Sequence, residues 1–283
     1  MNEINLIDET FDRNQSHNYH LSIQTSSTGL SFCLLDTISK KYIALRHYPF
    51  KIINSSQQFL NNVTEKFDTD DLLRLKFKSV SHMYVDNKNS LVPISYFEES
   101  KEQEYFKFNH SLEENFMVIS NPLPHSVSVN IFAYPSGLHT KLNEVFPKIK
   151  LSHHSSAFIE NLVIDSAKWT QPKCHIHINK TFLMIGIACN KKIEFYNTFT
   201  FKDNSDVVYY ILSVLDQFRL SPIFTEVFLA SGIGNHDEMF DFINNYLNMI
   251  KFIRPSDRFL YSYIFDELQL TRFSNLFNLA LCE

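Results

Sequence analysis

Four hydroxyl residues and a glycine, Thr25, Ser26, Ser27, Thr28 and Gly29, follow Gln24 in a turn between two strand-like runs, His20 to Thr25 and Leu30 to Asp36. Hydroxyls donate to anions, and glycine lets backbone N–H groups come close, so such a turn can cradle a phosphate or simply reverse the chain. It contains no acid that could anchor a metal. A second cluster, Cys174-His175-Ile176-His177, sets two histidines on one face of a strand, a spacing that can chelate zinc. No third or fourth ligand is identifiable, so buried strand histidines with satisfied hydrogen bonds are the plainer reading. His153 and His154 fall where a strand ends and a helix begins, with Ser155 or Ser156 placed to cap it. There is no nucleophile elbow, HExxH, Walker A or paired-carboxylate motif. The acidic stretch Glu98 to Glu104 is interspersed with lysine and reads as a solvated face.

Bulk composition narrows the options. With 44% apolar and 20% charged residues, 27 Phe and 13 Tyr, the chain is globular with an aromatic core. A formal charge of −5 and no Lys/Arg cluster interleaved with aromatics argue against nucleic acid as a partner. No apolar run reaches the roughly 20 residues of a membrane span, and the polar start lacks a signal-peptide pattern, which points to the cytoplasm. Four cysteines, Cys33, Cys174, Cys189 and Cys282, have no framework spacing and read as reduced thiols. Only five glycines occur in 283 residues, which disfavours glycine-rich loop chemistry.

The elements that must position these residues come in a repeated order. After a loose polar leader over residues 1–18, with a short turn at Ile4 to Ile7, alternation predicts strands at Tyr19 to Thr25, Leu30 to Asp36 and Tyr42 to Tyr48. A helix follows, capped by Ser55 or Ser56, with Phe59, Leu60, Val63 and Phe67 at helical spacing. About 150 residues later the same order returns as strands Cys174 to Asn179, Phe182 to Cys189 and Ile193 to Phe201. The helix after them is capped near Ser205 and carries Val207, Ile211, Val214 and Leu215 on one face. Lys78 to Val85 and Thr225 to Ala230 are matching further strands. Between the copies, Ser90 to Ser100 is expected to begin a helical connection. Phe106 to Asn109, Phe116 to Ser120 and Val127 to Tyr134 are expected as strands, Ser136 to Phe146 as a helix, Lys148 to His153 as a strand and Ser156 to Asp165 as a helix.

This α/β order, with an extra strand-helix-strand subdomain in the first copy, resembles the actin-like ATPase superfamily of two RNase H-like halves, and within it bacterial members such as FtsA and PilM. The stretches "LSFCLLD", "KYIALRHYPF", "LVPISYF" and "AFIENLVID" also resemble a bacterial family of this architecture that has no established activity. The resemblance implies a leader at 1–18, a first half at 19–103, an inserted subdomain and return helix at 104–170, and a second half at 171–283. Active members of the superfamily hold ATP and a metal between the halves on two acid-bearing phosphate loops and a glycine pair. The matching positions here are Thr25, Ser26, Ser27, Thr28 and Gly29, then Lys180 and Thr181, then Ser231, Gly232 and Gly234. Both loops lack the acid, so no bound cofactor is expected and hydrolysis is disfavoured. The resulting expectation is a non-catalytic protein acting through other proteins, with a surface between about Glu104 and Lys150. The alternatives are a non-hydrolysing nucleotide or anion sensor, and a divergent ATPase.

Overall fold

The computed structural model describes residues 2–51, 53, 55–231 and 238–282. The first sheet is built on β1 (Ile4–Ile7), β2 (Tyr19–Ser26), β3 (Gly29–Asp36) and β4 (Lys41–Pro49). Helix α1 (Ser56–Thr69) begins where Ser55 accepts a hydrogen bond from the Gln58 N–H, and leads to β5 (Ser79–Val85), parallel to β2. An insertion follows: β6 (Asn89–Pro93), α2 (Glu102–Asn109), β7 (Phe116–Leu123), β8 (Ser128–Pro135) and α3 (Ser136–Val145). The chain returns through β9 (Lys150–His153) and α4 (His154–Ser166). The second half comprises β10 (Lys173–Ile178), β11 (Phe182–Cys189), β12 (Lys192–Thr200), α5 (Asn204–Gln217), β13 (Val227–Ser231), α6 (Glu238–Asn244) and β14 (Ile250–Phe252). The chain closes with β15 (Leu260–Tyr261) and α7 (Ser274–Asn278).

The two halves share one topology. The order β4-β3-β2-β5-β9 in the first sheet matches β12-β11-β10-β13-β14 in the second, each an antiparallel meander extended by two parallel strands. Register shifts occur between Leu34 and Leu35 in β3 and between Ile187 and Ala188 in β11, at equivalent positions of equivalent strands. Strands β6-β8-β7 form a third, antiparallel sheet. One face of β8 gives Phe132 and Tyr134 to the first half's core, and the other packs Val129, Ile131 and Ala133 with Phe106 of α2.

Several expectations are corrected. Ile4 to Ile7 is a strand, not a turn, and it ties the leader to the outer edge of β4, with Ile4 and Leu6 inward and Asn5 and Ile7 outward. Asn89 to Pro93 is a strand because the edge of β8 is open to it. Phe106 to Asn109 is helical: its aromatic content favours a strand, yet a helix buries Phe106 on the third sheet while Glu102 accepts the Ser120 hydroxyl. The caps also differ, since His153 itself caps α4 and Asp203 caps α5.

Helix α4 lies where the sheets meet and is buried on nearly every side. Its Ala157 packs with Met83 and the C-terminal Leu276 and Phe277, while Phe158 and Leu162 face Phe182 and Met184 of β11. Gly186 makes this approach possible, because a Cβ there would lie 2.5 Å from Leu162 Cδ2 and 3.1 Å from Phe158 Cε1. Polar groups on α4 are paired across to the third sheet. Asn130 Nδ2 donates to Ser155 and Ser156, and the Glu160 carboxylate meets His125 Nδ1 at 2.5 Å and accepts the His125 and Ser126 N–H groups.

The C-terminal segment crosses back to the first half. Strand β15 pairs with β4 beyond β1, the Tyr42 hydroxyl donates to the Phe277 carbonyl, and buried Asp8 accepts from Lys41 and Ser262.

Histidine is unusually well represented in the interior: His20, His47, His82, His153, His154, His175 and His177 are all buried. His82 bridges the Thr25 and Tyr134 hydroxyls, and His175 lies against Trp169 and Phe228. Burial depresses the basicity of five of them, to about 3 for His82 and His175, to about 4 for His47 and His177, and well below the usual range for His154.

Two outcomes follow from this packing. Gly186→Val should cost about 1–3 kcal/mol by overpacking α4 against β11, read as a lower urea midpoint at unchanged slope. His47, His82, His154, His175 and His177 have folded pKa values below the unfolded ~6.5, so the unfolded chain protonates first and their full contribution is present only above that value. Each of these rings therefore lowers stability as pH falls from about 6.5 toward its folded value. Asp165, raised to about 6 by burial, opposes this but offsets only one ring. A falling stability on acidification below about pH 6.5 is expected. A urea midpoint that stays level between pH 7 and pH 5 would contradict this account.

Candidate functional site

The β2–β3 turn is a tight hairpin: Ser26 pairs with Gly29, leaving Ser27 and Thr28 at the tip. The Ser26 hydroxyl accepts the Thr28 N–H at 3.2 Å and shares a hydrogen bond with the Thr28 hydroxyl at 2.9 Å, so the turn is organised by its own side chains. Gly29 is not in the left-handed region. Its lack of a side chain serves strand packing, since a Cβ would lie 2.6 Å from the Tyr48 carbonyl oxygen and 3.0 Å from His47 Cε1. Thr25 points to the opposite face of the sheet and is engaged by His82 at 2.9 Å.

Across from this turn stands the β10–β11 turn of the second half, closed by the Asn179 N–H donating to the Phe182 carbonyl at 2.8 Å. Between the two turns lies a cavity of about 590 Å³, lined by Ser26, Ser27, Thr28 and Gly29 from one side and Asn179 and Lys180 from the other. Thr181 is exposed and does not line it. Ser231 ends β13, and Gly232 and Gly234 lie outside the described residues.

Sequence reasoning missed the rest of the lining, because it comes from distant parts of the chain. Lys51 arrives just after β4, His47 from β4 itself, and Arg272 from the short 3-10 turn Leu270–Phe273 that precedes α7. His47 is almost fully buried, shares a hydrogen bond with Ser31 through Nδ1 at 2.8 Å, and is held neutral, chiefly by burial and secondarily by Arg272. When Nδ1 accepts from Ser31, Nε2 carries the proton. That Nε2 has no partner, and neither do Asn179 Nδ2 nor Arg272 Nη2. Arg272 lies over the Phe273 ring, 5.2 Å from its centroid. Buried polar groups are ordinarily satisfied; these are three of eight buried side-chain atoms without a partner among the described residues, the others being both ring nitrogens of His154, His175 Nε2, Ser274 Oγ and Asn278 Nδ2.

Charge points the same way. The cavity wall carries Lys51, Lys180 and Arg272, and no Asp or Glu among the described residues. A divalent cation prefers oxygen donors, usually carboxylates, so these residues do not fit the metal that accompanies ATP in active members of the fold. They fit an anion, bound by direct positive charge and hydrogen-bond donors. The His175–His177 pair does not change this: His177 Nδ1 accepts from Asn275 Nδ2 at 2.7 Å, and no group of three metal-ligating side chains occurs among the described residues.

Solved structures confirm the architecture. A protein of unknown function with an actin-like ATPase fold from Bacteroides thetaiotaomicron superposes with a TM-score of 0.79, at 24% identity over 86% of this chain and 94% of its own. A chain of the PilM–PilN type IV pilus biogenesis complex aligns at 0.56, with 11% identity over 93% and 96% of the two chains. The ethanolamine utilization protein EutJ from Carboxydothermus hydrogenoformans aligns at 0.53, with 6% identity over 98% and 93%. The fold is therefore the actin-like ATPase fold of two RNase H-like halves. No curated protein matches the chain. Among the described residues no helix is long and apolar enough to cross a membrane. The profile of the family described as protein of unknown function, DUF3822, matches residues 8–250, and the chain belongs to that family.

Proposed function

We propose that the protein is a non-catalytic member of its fold that holds a phosphate-bearing anion in the inter-half cleft and acts through contacts with other proteins. The observation that carries this reading is a cavity whose described wall has three cations, Lys51, Lys180 and Arg272, and no carboxylate, with unpartnered side-chain nitrogens on its lining residues Asn179 and Arg272. In this reading the hydroxyls of Ser26, Ser27 and Thr28 and the side chains of Lys51 and Lys180 complete the site. Phosphoryl transfer needs metal-assisted charge stabilisation and a positioned nucleophile, and the described lining offers residues for neither role. Binding without turnover fits a sensor whose output is a protein contact, since occupancy would bridge a hairpin of the first half to a turn of the second.

The test is a thermal-shift and calorimetric series with pyrophosphate, ADP and ATP, each with and without Mg²⁺. Binding is expected without the cation, and a ligand at 100 times its Kd should stabilise by about 2.7 kcal/mol. Arg272→Met should abolish that shift while leaving the unliganded protein equally or more stable, because it removes a partly desolvated charge that has no acid partner among the described residues. Strict dependence on Mg²⁺, or steady release of phosphate from ATP, would overturn the proposal.

A further inference from the structure

Helix α2 carries the acidic stretch of the sequence and two roles that do not belong together in a folding element. Phe106 is buried and does the packing against the third sheet, while Phe108, two residues on, is 88% exposed. Tyr96, in the 3-10 turn Ile94–Tyr96 before α2, is 74% exposed, and its neighbour Ile94 is exposed as well. Tyr105 joins these pieces: its hydroxyl donates to the Tyr96 carbonyl at 2.6 Å and accepts the Glu98 N–H at 3.2 Å, and its ring lies 6.0 Å from that of Phe97. Phe108 follows Tyr105 at i+3 on the same side of the helix. Tyr105 thus ties the piece that carries exposed Tyr96 to the helix that carries exposed Phe108, a strip whose backbone is set before any partner arrives.

The strip has an acidic surround. Residues 98–114 contain six glutamates and two lysines, a formal −4 within a chain whose total is −5. Glu98 is paired with Lys101 and Glu113 with Lys88, whereas Glu99, Glu104 and Glu114 have no ion pair among the described residues. Exposed aromatics inside a field of one sign complement one chemistry: an apolar stripe flanked by positive charge.

We propose that the Tyr96–Phe108 strip docks a lysine- or arginine-rich amphipathic segment of another protein, its apolar face on the aromatics and its basic flank on Glu99, Glu104 and Glu114. This rests on the reading of the chain as an interaction protein, and is independent of the anion cleft.

The experiment uses the full chain and a fluorescein-labelled helical peptide made only of leucine and lysine, with a leucine–glutamate peptide as control. Anisotropy titrations should show the basic peptide binding and weakening as salt rises, and the acidic peptide failing to bind. Tyr96→Ser combined with Phe108→Ser keeps every charge and removes only exposed rings; it should weaken binding at least tenfold with the melting curve unchanged. Equal affinity of the double variant, or equal binding of both peptides, overturns the proposal. So does a wild-type dimer in sedimentation that the double variant dissociates, which would make a second copy the occupant. Photo-cross-linkers at positions 108 and 224, the latter an exposed Phe of the second half, separate the two levels of inference in the native cell. Adducts to a basic segment at 108 support this surface. Adducts at 224 alone overturn it and leave the interaction reading standing, and adducts at neither overturn both.

Discussion

A helix buried on nearly every side must find partners for its polar groups, and α4 meets most of that demand, the two ring nitrogens of His154 excepted. Its sequence, HSSAFIENLVIDS, mixes serines, a histidine, an asparagine and a glutamate with apolar residues that face more than one neighbour. Burying that helix works only because the third sheet supplies Asn130 and the β7–β8 turn supplies His125 and two N–H groups. The insertion is therefore more than an ornament on the first half: it completes the helix on which both halves rest. The close contact at Gly186 then fixes how near the second sheet can come, and with it the width of the cleft between the two turns.

Buried polar groups are paired in some places, as with His82 between Thr25 and Tyr134, and unpaired in others, as with both ring nitrogens of His154, His175 Nε2 and the Ser274 hydroxyl. Among the residues that line the cleft, Asn179 Nδ2 of the β10–β11 turn and Arg272 Nη2 of the C-terminal 3-10 turn are likewise without a partner, beside two lysines. Leaving donors unpaired and like charges gathered costs stability.

Much of this was legible in the amino-acid sequence, and the limits have physical causes. Both meanders alternate with period two, and Ser55 announces α1, so the duplicated framework could be read locally. The hairpin Ser26–Gly29 was found by composition, and its opposite turn through the resemblance to a known fold. The packing demand on Gly29 comes from Tyr48 on a neighbouring strand, which no local pattern reveals. Helix α2 was read as a strand because aromatic residues favour pleated surfaces, and its true state is decided by what the third sheet can cover. Arg272 and His47 could not be anticipated at all: they lie more than 200 residues apart in sequence and meet only through the return of the C-terminal segment.

That return sets a timetable for synthesis. Strands β2 to β4 are made early, yet one face of their sheet is covered by Phe265, Phe273, Leu276 and Phe277. At roughly 5–20 residues per second, the stretch between Tyr42 and Phe277 takes on the order of 10–50 s to emerge from a ribosome. During that interval Cys33, Tyr42 and Leu45 face solvent or a chaperone, so the nascent first half is a sticky intermediate that its own last helix relieves.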